Sequence, residues 1–200
     1  MSFKSDVKSK FFEDTTASSA TYVAAAARPT TTFTLANTSF GTNTGRKITA
    51  TTLGNESTIT VTIVGTDVNG DEATEVITLP GTASTTAGTT TFFQTITSAT
   101  VSAQPAANVS LGMTDDVAGG IFAGRTRVRQ MQVSSGGTAG NVEVRDASTA
   151  GATGITVRTT DTANDNTTIN IPQDGVLFKN GAYVTFAETE CSAVTAYFDG

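Results

Sequence analysis

Asp67, Asn69 and Asp71 stand at alternate positions within GTDVNGDEATE (Gly65 to Glu75), the densest group of potential ligands in the chain. Oxygen donors at this spacing begin an EF-hand calcium loop, which also needs glycine at its sixth position and a bidentate glutamate at its twelfth. Counted from Asp67, those positions hold Glu72 and Thr78, and Gly70 falls at the fourth. The EF-hand reading therefore fails on spacing. A calcium site of another kind, built between loops, stays open beside the stronger reading of a turn. In that reading Asn69-Gly70 supplies positive φ, and the charged residues stay solvated at a hairpin tip. DTANDN (Asp161 to Asn166) reads the same way, as an Asx-rich loop before an ion site.

The chain has no histidine. Ser-His and Cys-His nucleophile systems are thereby excluded. Cys191 is the only cysteine, so there is no internal disulfide and no CxxC metal site, and it reads as a small buried hydrophobe. Composition leaves room for a carboxylate pair of the glycosidase kind, with 18 acidic residues. These acids, however, fall in turns and on strand faces beside Thr and Ser, and nothing marks a pair with split pKa values. The expectation is a protein that is not an enzyme and carries no cofactor or metal. Arg125, Arg127 and Arg129 recur at period two and share one strand face. That face suits an acidic partner or a polyanionic glycan, or serves as a charged edge that discourages aggregation. Met131 and Val133 continue the same parity, which calls for a bulge after Arg129. Sequons at Asn37, Asn55, Asn108 and Asn166 carry no weight without a secretory signal.

The elements that position these residues are strands. About 40 threonines and 19 glycines, with only 15% charged residues, depart from average usage. Threonine is stiff at χ1 and fits the solvent face of a sheet. STITVTIVG alternates cleanly, with Ile59, Val61 and Ile63 inward and Thr58, Thr60 and Thr62 outward. Near the C-terminal end, Val194, Ala196 and Phe198 alternate with Thr195 and Tyr197. FKNGAY has the two-residue Asn-Gly connection of a type I′ hairpin. GTASTTAGTT (residues 81–90) reads as a small-residue loop.

The predicted organisation is all-β, with two tandem β-sandwich domains, Ig-like or jelly-roll-like, preceded by an N-terminal arm. The arm covers residues 1–31, with one amphipathic helical turn in FKSDVKSKFFEDT. The first domain covers 32–114, a glycine-rich linker 115–124 and the second domain 125–200. The arm's aromatic residues, Phe3, Phe11, Phe12 and Tyr22, together with Arg125, Arg127 and Arg129, are the expected partner-facing residues. A net charge of -6 argues against nucleic-acid binding. No run of 18 apolar residues suggests a membrane span, and MSFKSDVKSKFFEDTTASS lacks the apolar segment of a signal peptide. The expected site of synthesis is a host cytoplasm.

ITVTIVGTDVNGDEATEVITLPG, followed by FFQTITSATVS and NVSLG, resembles a small β domain of tailed-bacteriophage virion proteins, notably marine ones. The last block is similar to another phage β module, through Ile171, Pro172, Gly175, Phe178 and Gly181 and then Tyr197 and Phe198. The resemblance implies a structural role: decorating or cementing a capsid, or building part of a tail or neck. It implies other virion proteins as partners, homo-oligomerisation within the particle, and no catalytic or cofactor residues. A module that binds host-surface glycans is the rival reading, predicting exposed aromatics near loop tips.

Overall fold

A computed structural model describes residues 6–147, 157–160, 162–171 and 174–200. Among these the protein is all-β, without helix. Phe3, Pro172 and Asp161 lie outside the described residues. The chain divides into two compact units that do not follow the expected tandem order. Unit 1 comprises Met1–Thr16, Gly41–Thr44 and Asp116–Gly200; unit 2 comprises Ala17–Phe40 and Gly45–Asp115.

Unit 2 contains β2 (Ser19–Ala27), β3 (Gly45–Thr52), β4 (Thr60–Asp67), β5 (Glu72–Thr78), β6 (Thr85–Val101) and the start of β7 (Val109–Phe122). Its pairing order is β7-β3-β6-β4-β5, and β2 pairs with β7. The long β6 pairs with β3 from Thr85 to Phe93 and with β4 from Phe93 to Val101. Residues 31–38 follow its second half, with Phe33 N donating to Ala99 O at 2.9 Å and Ile96 N to Thr38 O at 2.8 Å. Alternation sends Ile48, Val61, Ile63, Phe93, Leu111 and Met113 into one apolar core with Val23, Phe33 and Phe40. Removing that apolar area from water is the main favourable term.

Unit 1 holds β1 (Val7–Glu13), the rest of β7, β8 (Thr126–Ser135), β9 (Asn141–Asp146), β10 (Val157–Thr160), β11 (Thr167–Asn170), β12 (Val176–Phe178), β13 (Ala182–Ala187) and β14 (Cys191–Asp199). One sheet runs β1-β14-β8-β11, with β12 also on β8; the other runs β10-β9-β13-β7. Phe12, Val128, Met131, Val194 and Phe198 from the first meet Val117, Val144, Val184 and Phe186 from the second in a single core. Two sheets facing each other across one core make a β-sandwich.

Four expectations are corrected. The N-terminal stretch is not an arm with a helical turn: β1 pairs with β14 in unit 1 and β2 with β7 in unit 2. Two lysines obscured its strand period. Lys8 and Lys10 point to the same side as Phe12, with Lys10 Nζ donating to Gly120 O at 2.6 Å and lying 5.7 Å from the Phe12 ring centroid. Their stems cover apolar surface there while the ammonium groups find other partners. The segment 115–124 is not a linker, because β7 continues to Phe122. Its Gly119 serves close packing, since a Cβ there would lie 2.2 Å from Phe12 Cδ1. FKNGAY is not a hairpin, for β12 pairs with β8 while β13 pairs with β9 and β7. Finally, the segment 81–90 is a loop only in part, as β6 starts at Thr85.

Candidate interaction surface

The turn at GTDVNGDEATE is built by Asp67. Its backbone N–H donates to Asp71 O at 2.8 Å, and Gly70 N donates to Asp67 O at 3.1 Å. Its Oδ1 accepts the N–H groups of Asn69 at 2.8 Å and Asp71 at 3.1 Å. Gly70 has φ +88°, and Asn69 is not among the residues of positive φ. This is a three-residue loop closed by a glycine bulge rather than a two-residue Asn-Gly turn. Asp67 is buried and turned toward the backbone. Among the described residues no three Asp, Glu or Cys side chains gather where they would hold a metal ion.

Other carboxylates are committed in the same way. Glu56 accepts Ala107 N at 2.6 Å and Ala106 N at 3.1 Å. In β6, residues 89–91 bulge out of register with β3. Thr89 Oγ1 fills this bulge, accepting Ile48 N and donating to Thr91 O, both at 2.9 Å. Glu75, from β5, accepts Thr90 N at 2.7 Å and Thr91 N at 2.8 Å. Partial burial raises the Glu75 pKa, but these N–H donors outweigh it and hold the carboxyl below its ordinary value. Glu190 takes Asn141 N, and Asp146 takes Asn180 N. These acids act as acceptors for backbone N–H groups of loops and of the β6 bulge, and Asp67 is buried where the sequence suggested a solvated hairpin tip.

The expected partner-facing residues are scattered. Phe3 lies outside the described residues. Phe12 is fully buried in the unit 1 core, so it cannot face a partner. Tyr22, in unit 2, is half-buried with its ring 5.8 Å from that of Phe40. Arg125 is exposed just before β8. Arg127 donates to Gly175 O at 3.3 Å. Arg129 holds Asp199 through Nε at 2.6 Å and Nη2 at 2.5 Å, and this carboxylate raises the guanidinium pKa. The bulge called for by strand parity is present: β14 residues Tyr197 and Phe198 pair with Gln130 and Val128, and Arg129 is skipped. Beyond it, Met131 and Val133 return to the core.

The solvent side of the β1-β14-β8-β11 sheet carries Phe11, Thr195, Gln132 and Thr168 in one cross-strand row. The next row is Ser9, Tyr197, Gln130 and Asn170. Of these only Phe11 was expected from the sequence to face a partner. The signal for Tyr197 was its alternation with Ala196 and Phe198; the amides gave none, since their rows join strands far apart in sequence. The large apolar side chains exposed among the described residues are Val7 (54%), Phe11 (42%), Leu53 (59%) and Val76 (56%). Val7 and Phe11 are on β1 and Val76 is on β5, each the end strand of its pairing order. No family model matches the chain, and no curated protein matches it in sequence.

Proposed function

We propose that this protein is a structural component of a tailed-phage virion, a capsid decoration or cement protein that acts without catalysis or cofactor. The family resemblance supplies the class. The observation that carries the mode of action is the placement of exposed apolar side chains on terminal strands. A strand with a free edge and exposed Val or Phe is an aggregation hazard in a free protein, and natural sheets normally blunt it. Such an edge suits a protein covered by neighbours on assembly, where many copies turn weak contacts into stable attachment. In this reading the partners are the shell protein and further copies of this chain, the location is the virion, and nucleic acid is not bound.

Two measurements test it. Purified particles should contain the chain at a stoichiometry comparable with that of the shell protein. A single ring's worth would move it to the neck or tail, and its absence from particles would end the reading. Added to empty capsids, the native protein should be retained, and Val76→Lys should reduce retention while leaving the melting temperature nearly unchanged. Equal retention of the variant would remove the β5 edge from the argument.

A further inference from the structure

The solvent face of the β1-β14-β8-β11 sheet combines two kinds of group. Phe11 and Tyr197 place aromatic rings on adjacent strands, diagonal to each other by register. Beside them stand three amide side chains, all of which take part in hydrogen bonds across strands. Tyr197 Oη donates to Gln132 Oε1 at 3.2 Å, and Gln130 Nε2 donates to Asn170 Oδ1 at 3.0 Å. These bonds leave the NH₂ groups of Gln132 and Asn170 as donors and Gln130 Oε1 as an acceptor. Gln132, Thr168 and Asn170 are exposed, while Tyr197, Gln130 and Thr195 are half-buried. The four strands span about 14 Å at the usual inter-strand spacing.

The charges on this face are largely internal. Arg129 and Asp199 neutralise each other at one end, where Arg127 is turned to the Gly175 carbonyl, and Glu13 sits at the other end of β1. Among the described residues the face thus carries two positive and two negative groups, all outside the amide rows. Phosphates would find little unpaired positive charge among the amides, which disfavours nucleic acid. A protein partner would have to match every amide it buried, since an unmatched one costs its desolvation. A saccharide has the matching chemistry: an apolar C–H face for a ring, and hydroxyls that both donate and accept. Amides already held in place lose less freedom on binding, which favours affinity.

We propose that this face is a binding site for a neutral oligosaccharide, which stacks on Tyr197, with Phe11 at the rim, and is held through its hydroxyls by Gln130, Gln132 and Asn170. This goes beyond a structural role in a particle, and it places recognition on a sheet face rather than at loop tips. A shell component built this way would also hold glycan-coated surfaces.

The test is affinity electrophoresis of the full chain through gels containing dextran, galactomannan, laminarin or alginate, the last as an acidic comparison. At least one neutral polysaccharide should retard the native protein more than alginate does. Tyr197→Ala should weaken that retardation about tenfold, equivalent to about 1.4 kcal/mol, and Gln132→Ala and Asn170→Ala should each weaken it several-fold. Gln132 and Asn170 are exposed, so their variants should keep the native melting temperature and hold the test together if Tyr197→Ala unfolds. Absence of retardation by every neutral polysaccharide overturns the proposal, as does equal retardation of folded Gln132→Ala and Asn170→Ala. Stronger retardation by alginate overturns the neutral assignment. If the variants instead abolish self-association in size-exclusion chromatography, the face is a protein interface and the proposal fails.

Discussion

Glu56 ties three loops of unit 2 together, and replacing it should show how much a single carboxylate contributes there. Its N–H donates to Pro80 O at 3.0 Å, and its carbonyl accepts Ile59 N at 2.8 Å. Its buried carboxylate accepts Ala107 N and Ala106 N. The backbone bonds survive substitution; the carboxylate bonds do not. Hydrogen bonds to a charged group contribute about 1.5–3 kcal/mol each. Ala106 is exposed, so water can replace its partner, whereas the 2.6 Å bond to half-buried Ala107 is the harder one to replace. Glu56→Ala should therefore cost about 2–4 kcal/mol. Glu56→Gln keeps one acceptor oxygen for Ala107 and should cost about half as much. Urea unfolding followed by circular dichroism measures both, with the midpoint falling and the slope unchanged. Hydrogen exchange at the Ala106 and Ala107 amides localises the effect, since both should lose protection in Glu56→Ala. A cost below about 0.5 kcal/mol for Glu56→Ala, the usual range for a surface substitution, would refute the reasoning. So would a glutamine variant less stable than the alanine one.

Three further predictions concern other parts of the chain. Glu75, with its folded pKa held below 4.5, contributes stability that is present above that value and lost as pH falls through the folded pKa; melting temperatures from pH 7 to 3 should show Glu75→Gln flattening that acid limb. Gly119→Ala should destabilise unit 1 by about 1–3 kcal/mol through overpacking against Phe12. Adding Phe12→Leu should make the pair non-additive in a double-mutant cycle, and simple additivity would show that the two do not meet. Removing residues 1–29 deletes β1 and β2, with Phe12 and Val23, and should abolish cooperative melting by circular dichroism rather than only weaken assembly.

Strand chemistry was legible wherever side chains alternate with period two. STITVTIVG places Val61 and Ile63 inward, CSAVTAYF places Val194, Ala196 and Phe198 inward, and the parity break after Arg129 is a real bulge. What escaped had a physical disguise. Lysines on the inward side of β1 masked its period, and Gly119, which admits Phe12, read as part of a glycine-rich linker. The small residues of Thr85–Thr90 begin a strand because Thr89 and Glu75 satisfy its bulge. The division into units was invisible because it depends on pairings between distant segments. The proposed saccharide face was half visible: strand parity assigns Tyr197 outward, but only register brings it beside Gln130 and Asn170.

The pairing of Val7 with Asp199 sets an order of events during synthesis. Unit 2 has all its residues once Asp115 has emerged, so it can fold while the ribosome is still working. β1 must wait for β14. At 5–20 residues per second that delay is roughly 10–40 s, during which Val7, Phe11 and Phe12 stand unpaired on a nascent chain. Closing a contact across so long a loop is also slow by topology. The stretch that completes unit 1 is therefore made long before its partner strand and is among the last placed, and a chaperone or another nascent copy has that interval in which to capture it.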